Sequence, residues 1–113
     1  MYCLPHVSCV QIQFTIDDMA RADTIVESLL AQRLVACGQR TGPIVSRYRW
    51  KGSLRQSEEW LVLLKTRSEL AERVIEEIVE GHPYETPEVI AVAITHGSAG
   101  YLQWIAESTA EEV

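Results

Sequence analysis

The order in which hydrophobic periodicity changes along the chain is the feature that most restricts its fold. Ala22, Ile25, Val26, Leu29, Leu30 and Leu34 recur at helical spacing, giving one buried stripe between Asp18 and Leu34 with Asp17 or Asp18 as its cap. A second stripe, Ala71, Val74, Ile75, Ile78 and Val79, belongs to a helix that starts at Ser68-Glu69 and ends at Gly81, turning Glu72, Glu76, Glu77 and Glu80 toward water. The residues between and around these stripes read as strands: Val7 to Ile16, Ile44 to Lys51, Trp60 to Thr66 and Val89 to Thr95. Gly97-Ser98 opens a terminal helix carrying Tyr101, Leu102, Trp104 and Ile105, and the acidic tail beyond Thr109 is expected to be loose.

The resulting order, β-α-β-β-α-β with an added helix, predicts an α+β protein of the split βαβ, ferredoxin-like arrangement. Both main helices then lie on one face of a four-stranded antiparallel sheet, and the opposite face must be covered by something else. Self-association would cover it. The middle strands sharpen this expectation. Thr41-Gly42-Pro43 is read as a break before Ile44, after which Arg47, Arg49 and Lys51 alternate with Ser46, Tyr48 and Trp50, so one strand face is basic and the other aromatic. Lys51-Gly52-Ser53 supplies the turn, and the returning strand carries Leu61-Val62-Leu63-Leu64, apolar on both faces. The 113 residues fit one domain, 1–113, and no repeat or low-complexity stretch competes with that reading.

The net charge of −6 argues against broad attraction to nucleic-acid backbones, which requires many basic side chains. The charge is unevenly placed. No acidic residue lies between Ser28 and Ser57, a stretch that holds Arg33, Arg40, Arg47, Arg49, Lys51 and Arg55. These side chains are either a solvated basic strand pair or partners for the acids of a neighbouring copy. The start of the chain shows no secretion-signal pattern, and the longest apolar run, Val89 to Ile94, is too short to cross a bilayer. A cytoplasmic, membrane-free location is expected. Cys3, Cys9 and Cys37 lack the paired spacing of a zinc or redox motif and are read as reduced thiols.

Several segments, in order and spacing, resemble the CutA divalent-cation tolerance family: Leu34-Val35-Ala36-Cys37, Tyr48-Arg49-Trp50-Lys51-Gly52, Glu59 through Leu63-Leu64-Lys65-Thr66, His82-Pro83-Tyr84-Glu85-Thr86-Pro87-Glu88, and Tyr101-Leu102-Gln103-Trp104. The resemblance covers nearly the whole chain. It implies a ferredoxin-like subunit assembled as a homotrimer, with hairpin strands extending the sheets across subunit boundaries, and a role in the response to copper or other divalent ions. The PII signalling proteins share a similar trimer architecture and bind small effectors between subunits, a likeness of fold alone.

His82 is the candidate metal ligand, since a neutral imidazole suits copper and zinc and the family's corresponding histidine has been associated with metal. The competing reading makes it a loop histidine that fixes the turn before Pro83. Some family members place a cysteine in the first strand near this loop, whereas Phe14 stands there in this chain. Trp50, Glu59, Lys65, Tyr84 and Glu88 are expected to converge on a cleft at the subunit boundary, with Lys65 as the charge partner of a small anionic ligand. Alternatively, Glu59 or Glu88 pairs with Lys65 and holds the interface together. Tyr48, Trp50, Trp60 and Trp104 are expected as interface anchors, in preference to base-stacking platforms. An acylphosphatase-like hydrolase on this fold needs an asparagine, which the chain lacks altogether, so a binding or signalling protein is expected and not an enzyme.

Overall fold

The computed structural model describes residues 8–110. Eight elements follow in order: β1 (Cys9–Ile16), α1 (Met19–Ala31), β2 (Cys37–Trp50), β3 (Ser53–Arg67), a short 3-10 turn (Ser68–Leu70), α2 (Ala71–Gly81), β4 (Val89–Ile94) and α3 (Ala99–Ser108). The strands form one antiparallel sheet in the order β2-β3-β1-β4. This is the expected split arrangement. Val7 and the residues beyond Ala110 lie outside the described residues.

Strand alternation decides what the sheet buries. Ile12, Phe14 and Ile16 of β1 pair with Leu64, Val62 and Trp60 of β3, and all face the helices. They meet Ala22, Ile25 and Leu29 of α1 and Val74 and Ile78 of α2, the predicted helical stripes. Asp18 caps α1 by accepting a hydrogen bond from the Arg21 amide at 3.1 Å. Leu30, assigned to the stripe from spacing, is exposed. The helix ends before Arg33, whose φ of 58° turns the chain back toward the sheet. The terminal helix differs more from its expected pattern. Only Ile105 is buried, and Tyr101 and Trp104 are exposed, because α3 crosses just one end of the opposite sheet face. Arg33 donates to the Glu107 carbonyl at 3.2 Å and Arg67 to Thr109 Oγ1 at 2.9 Å, fastening the helix there.

The hairpin is longer than the sequence pattern indicates. Thr41-Gly42-Pro43 does not break the chain; it lies within β2, where pairing passes from Thr41↔Leu61 to Ile44↔Glu59. Three steps on β2 therefore oppose two on β3, the signature of a β-bulge. Gly42 sits at φ 141°, a backbone conformation that suits glycine, and a Cβ there would lie 3.0 Å from the Glu59 carbonyl oxygen. At the tip, Lys51 and Gly52 both have positive φ, 49° and 81°, and Trp50 pairs with Ser53. That is a two-residue turn of the kind that matches strand twist. The long hairpin contributes to a molecule measuring 50 × 26 × 21 Å.

The remaining face of the sheet is open over much of its area. Ile90 and Val92 of β4 are 45% and 48% exposed, and Leu61 and Leu63 of β3, on the other side of β1, are half-buried. The helix-covered face, by contrast, is close-packed. A Cβ at Gly38 would lie 2.6 Å from Val26 Cγ1 and 3.0 Å from Leu64 Cδ2. Gly38→Ala should therefore overpack the α1–sheet contact and lower stability by about 1–3 kcal/mol, measured as a lower urea midpoint with an unchanged slope.

Candidate functional site

The loop after α2 is positioned by one side chain. His82, extended at φ −90° and ψ 137° as a residue before proline favours, is 8% exposed. Its Nδ1 accepts a hydrogen bond from the Tyr84 amide at 3.1 Å. Nδ1 is therefore unprotonated, and Nε2–H donates to the Thr15 carbonyl at 2.7 Å. The ring also stands edge-on to Phe14 and Tyr84, with centroids at 6.1 and 4.5 Å. Both nitrogens are occupied by backbone, which leaves no lone pair for a metal.

Neither the first strand nor the neighbouring carboxylates supply the missing ligands. Phe14 is fully buried in the core. Cys9 lies at the far end of β1, five residues away or roughly 17 Å at strand rise, and alternation places it on the opposite sheet face. Among the described residues no group of three or more His, Cys, Asp or Glu side chains lies close enough to hold a metal ion. The residues present do not fit a divalent metal at His82.

What the histidine does is hold Tyr84 in place. The Tyr84 hydroxyl donates to Glu59 Oε2 at 2.8 Å, and Glu59 is only 6% exposed. These two form the inner end of a cleft of about 750 Å³ between the hairpin and residues 84–88. Cross-strand pairing sets the remaining wall: Ser46 opposite Ser57, Tyr48 opposite Arg55, and Trp50 opposite Ser53 share the face that continues to Glu59. Thr15, Asp17, Glu85 and Glu88 close the other side. Arg47 and Arg49 also border the cleft, although alternation along β2 places their Cβ atoms on the other hairpin face. Ser57 Oγ is buried there without a hydrogen-bond partner among the described residues.

Trp50, Glu59, Tyr84 and Glu88 line one cleft within the chain, and Lys65 lies outside it. It stands farther along β3, and its ammonium donates to Gln39 Oε1 at 2.9 Å. It pairs with neither Glu59 nor Glu88, and Glu88 instead accepts a hydrogen bond from Gln13 at 3.4 Å. The aromatic residues also separate. Tyr48 and Trp50 line the cleft, and Trp104 stacks on Tyr101 at 5.5 Å on the exposed side of α3. Trp60 packs against the hydrophobic core, with the Arg40 guanidinium 5.1 Å from the centre of its ring. Ser46, Ser57, Thr15, Asp17 and Arg55 were not singled out by sequence pattern. The signal for the two serines was present: the Lys51-Gly52 turn fixes Trp50 against Ser53, and counting back pairs Ser46 with Ser57.

The electrostatics of the inner end show in Tyr84. Burial, then the hydrogen bond and charge of Glu59, and then the charge of Asp17 hold its phenol well above the ordinary value of 10.0. Tyr101 is pushed up to about 12, chiefly by burial and then by its contact with Cys37. A folded-state pKa above the unfolded one means that the unfolded chain releases its proton first. The neutral phenol's contribution is complete below pH 10 and is lost as the pH rises toward the folded value. Tyr84→Phe should lower neutral-pH stability by about 1–3 kcal/mol, because a buried carboxylate loses its donor. It should also flatten part of the decline above about pH 10, both read from urea titrations across pH.

Residues 10–108 match the family model described as CutA1 divalent ion tolerance protein. The chain is 34% identical over 103 residues to the chloroplastic CutA of Arabidopsis thaliana, covering 91% of this chain and 57% of that protein. It is 34% identical over 98 residues to the divalent-cation tolerance protein CutA of Thermus thermophilus, covering 87% of this chain and 95% of that one. The crystal structure of CutA1 from Oryza sativa superposes with a TM-score of 0.89 at 31% identity, covering 94% of this chain and 97% of that chain. Fold, motifs and matched length agree, and the chain belongs to the CutA divalent-ion tolerance family.

Proposed function

We propose that this protein serves in the response to divalent cations as a cytoplasmic, homotrimeric binding protein without enzymatic activity, and that it takes a small ligand in the cleft between the hairpin and residues 84–88. The observation that carries this reading is the arrangement at His82. Its ring is committed to the Thr15 carbonyl and the Tyr84 amide, so it positions the Tyr84 that lines the cleft and does not coordinate copper or another divalent ion directly. The family's link to cations then runs through what the cleft binds, in the manner of an effector-responsive trimer.

The trimer is supported by the open sheet face, where Ile90 and Val92 of β4 are exposed and Leu61 and Leu63 of β3 are half-buried, with Gln11 and Gln13 of β1 between the two strands. Exposed apolar side chains on an uncovered sheet face favour burial against another copy. The cleft opens onto the same side, since Glu59 and Ser57 share the β3 face of Leu61 and Leu63. Of the four residues first considered as anchors, Tyr48 and Trp50 lie along this hairpin face and Trp104 on α3 is also exposed, whereas Trp60 serves its own core. No helix of the described residues is long and apolar enough to cross a membrane.

Two measurements test the reading. Sedimentation should give three chains of 12.7 kDa, and Val92→Asp should dissociate them; a well-folded single subunit at micromolar concentration refutes the assembly. In calorimetric titration with cupric ion, His82→Ala should leave the affinity unchanged while lowering the unfolding temperature. Loss of cupric binding in that variant, with the fold intact, would restore His82 as a ligand.

A further inference from the structure

The cleft was expected to take an anion, but its inner end and loop side carry the opposite charge, and its arginines, Arg47, Arg49 and Arg55, are confined to the hairpin side. Lys65, the intended cation, is absent from it. At its inner end stands the buried Glu59 carboxylate, with Asp17, Glu85 and Glu88 along the loop side. Tyr48 and Trp50 present their rings from the hairpin face, and Tyr84 contributes a third aromatic wall. Aromatic faces and carboxylates both attract positive charge, the rings through their quadrupole and the acids directly. The Ser57 hydroxyl, buried without a partner among the described residues, adds an acceptor two residues from Glu59 on the same strand face.

One cation already uses the mouth of this cleft. The Lys51 ammonium lies 5.6 Å from the Trp50 ring centroid and 3.8 Å from Glu85 Oε1. It belongs to the hairpin turn, and its side chain is 68% exposed, so an incoming group can displace it. Arg55 is the one basic residue whose alternation directs it to the cleft face, and its Nε donates to Ser53 Oγ at 3.4 Å, toward the hairpin tip and away from Glu59.

We infer that the cleft binds a small organic cation, a primary ammonium or guanidinium compound, whose charged head reaches Glu59 and Ser57 while its carbon skeleton lies against Tyr48 and Trp50 in place of Lys51. The inference rests on the proposed role of the cleft as a ligand site and supplies its ligand class. An ammonium or guanidinium head donates several hydrogen bonds and needs acceptors. Glu59 and Ser57 supply them at the buried end, and the aromatic walls suit an alkyl chain.

The test is a titration of the 15N-labelled full chain with n-butylammonium and methylguanidinium, and with butyrate and inorganic phosphate as anionic counterparts at matched ionic strength. The Trp50 indole and Ser57 amide resonances report binding. Both cations should shift these signals saturably and both anions should not. Glu59→Gln should weaken cation binding at least about tenfold. Exposed Glu85, whose replacement leaves the core untouched, should give a loss of about two- to fivefold as Glu85→Gln, and Lys51→Ala should tighten binding by about the same factor by removing the competitor. Saturable binding of the anions alone overturns the cationic class and leaves the cleft as a ligand site. Silence from all four probes overturns both. Cation binding seen only in the dissociated Val92→Asp variant would assign the cleft to a neighbouring copy's basic side chain, which also overturns a free ligand.

Discussion

Burial of the inward face of β1 holds the rest of the molecule in register. Ile12, Phe14 and Ile16 are fully enclosed between the sheet and the two main helices, each contributing about 1.5–3 kcal/mol relative to exposure. A slip of one residue would move all three to the open face, so the pairing of β1 with β3 and β4 is strongly determined. The cleft inherits this precision. Thr15 and Asp17 are neighbours of those core residues, and the carbonyl that receives the His82 proton belongs to Thr15. A side chain that looks like a ligand in the sequence is thus a strut between the core strand and the loop.

Much of the fold was legible because its signals are periodic. The α1 and α2 stripes, the alternation in β2 and the two-faced apolar run of β3 each correspond to a burial pattern in the structure. The extents of β2 and β3 were not legible. Glycine and proline at positions 42 and 43 look like an interruption, and only the pairing partner reveals that the strand continues through them. The polar stretch Leu54 to Glu58 lacks apolar alternation because this part of the hairpin projects from the body, with Leu54 75% exposed. Hydrophobic pattern reports contact with a core, and a projecting strand has none.

The site was legible in composition and not in connection. Trp50, Glu59, Tyr84 and Glu88, drawn from strand ends and the proline-bounded loop, line one cleft within the chain. The error at Lys65 has a simple geometric origin. It shares a strand face with Glu59, but six residues along β3 separate them, roughly 20 Å at strand rise. Charge complementarity in sequence says nothing of distance. The tautomer of His82 was likewise out of reach, since it follows from two backbone partners that only folding brings together.

The bulge at Thr41–Ile44 has a consequence for how such a cleft acquires its chemistry. In a regular strand Thr41 would share its face with Val45, Arg47 and Arg49; the additional residue on β2 hands that face to Ser46, Tyr48 and Trp50 instead. Removing one position from this stretch would straighten β2 but leave Ser46, Tyr48 and Trp50 facing the cleft, because the Lys51-Gly52 turn sets their register against β3 and the bulge alone absorbs the additional residue. The aromatic wall is thus anchored from the hairpin tip, and the bulge works as a buffer that keeps Thr41 and Tyr48 on one side of the sheet despite the odd spacing between them.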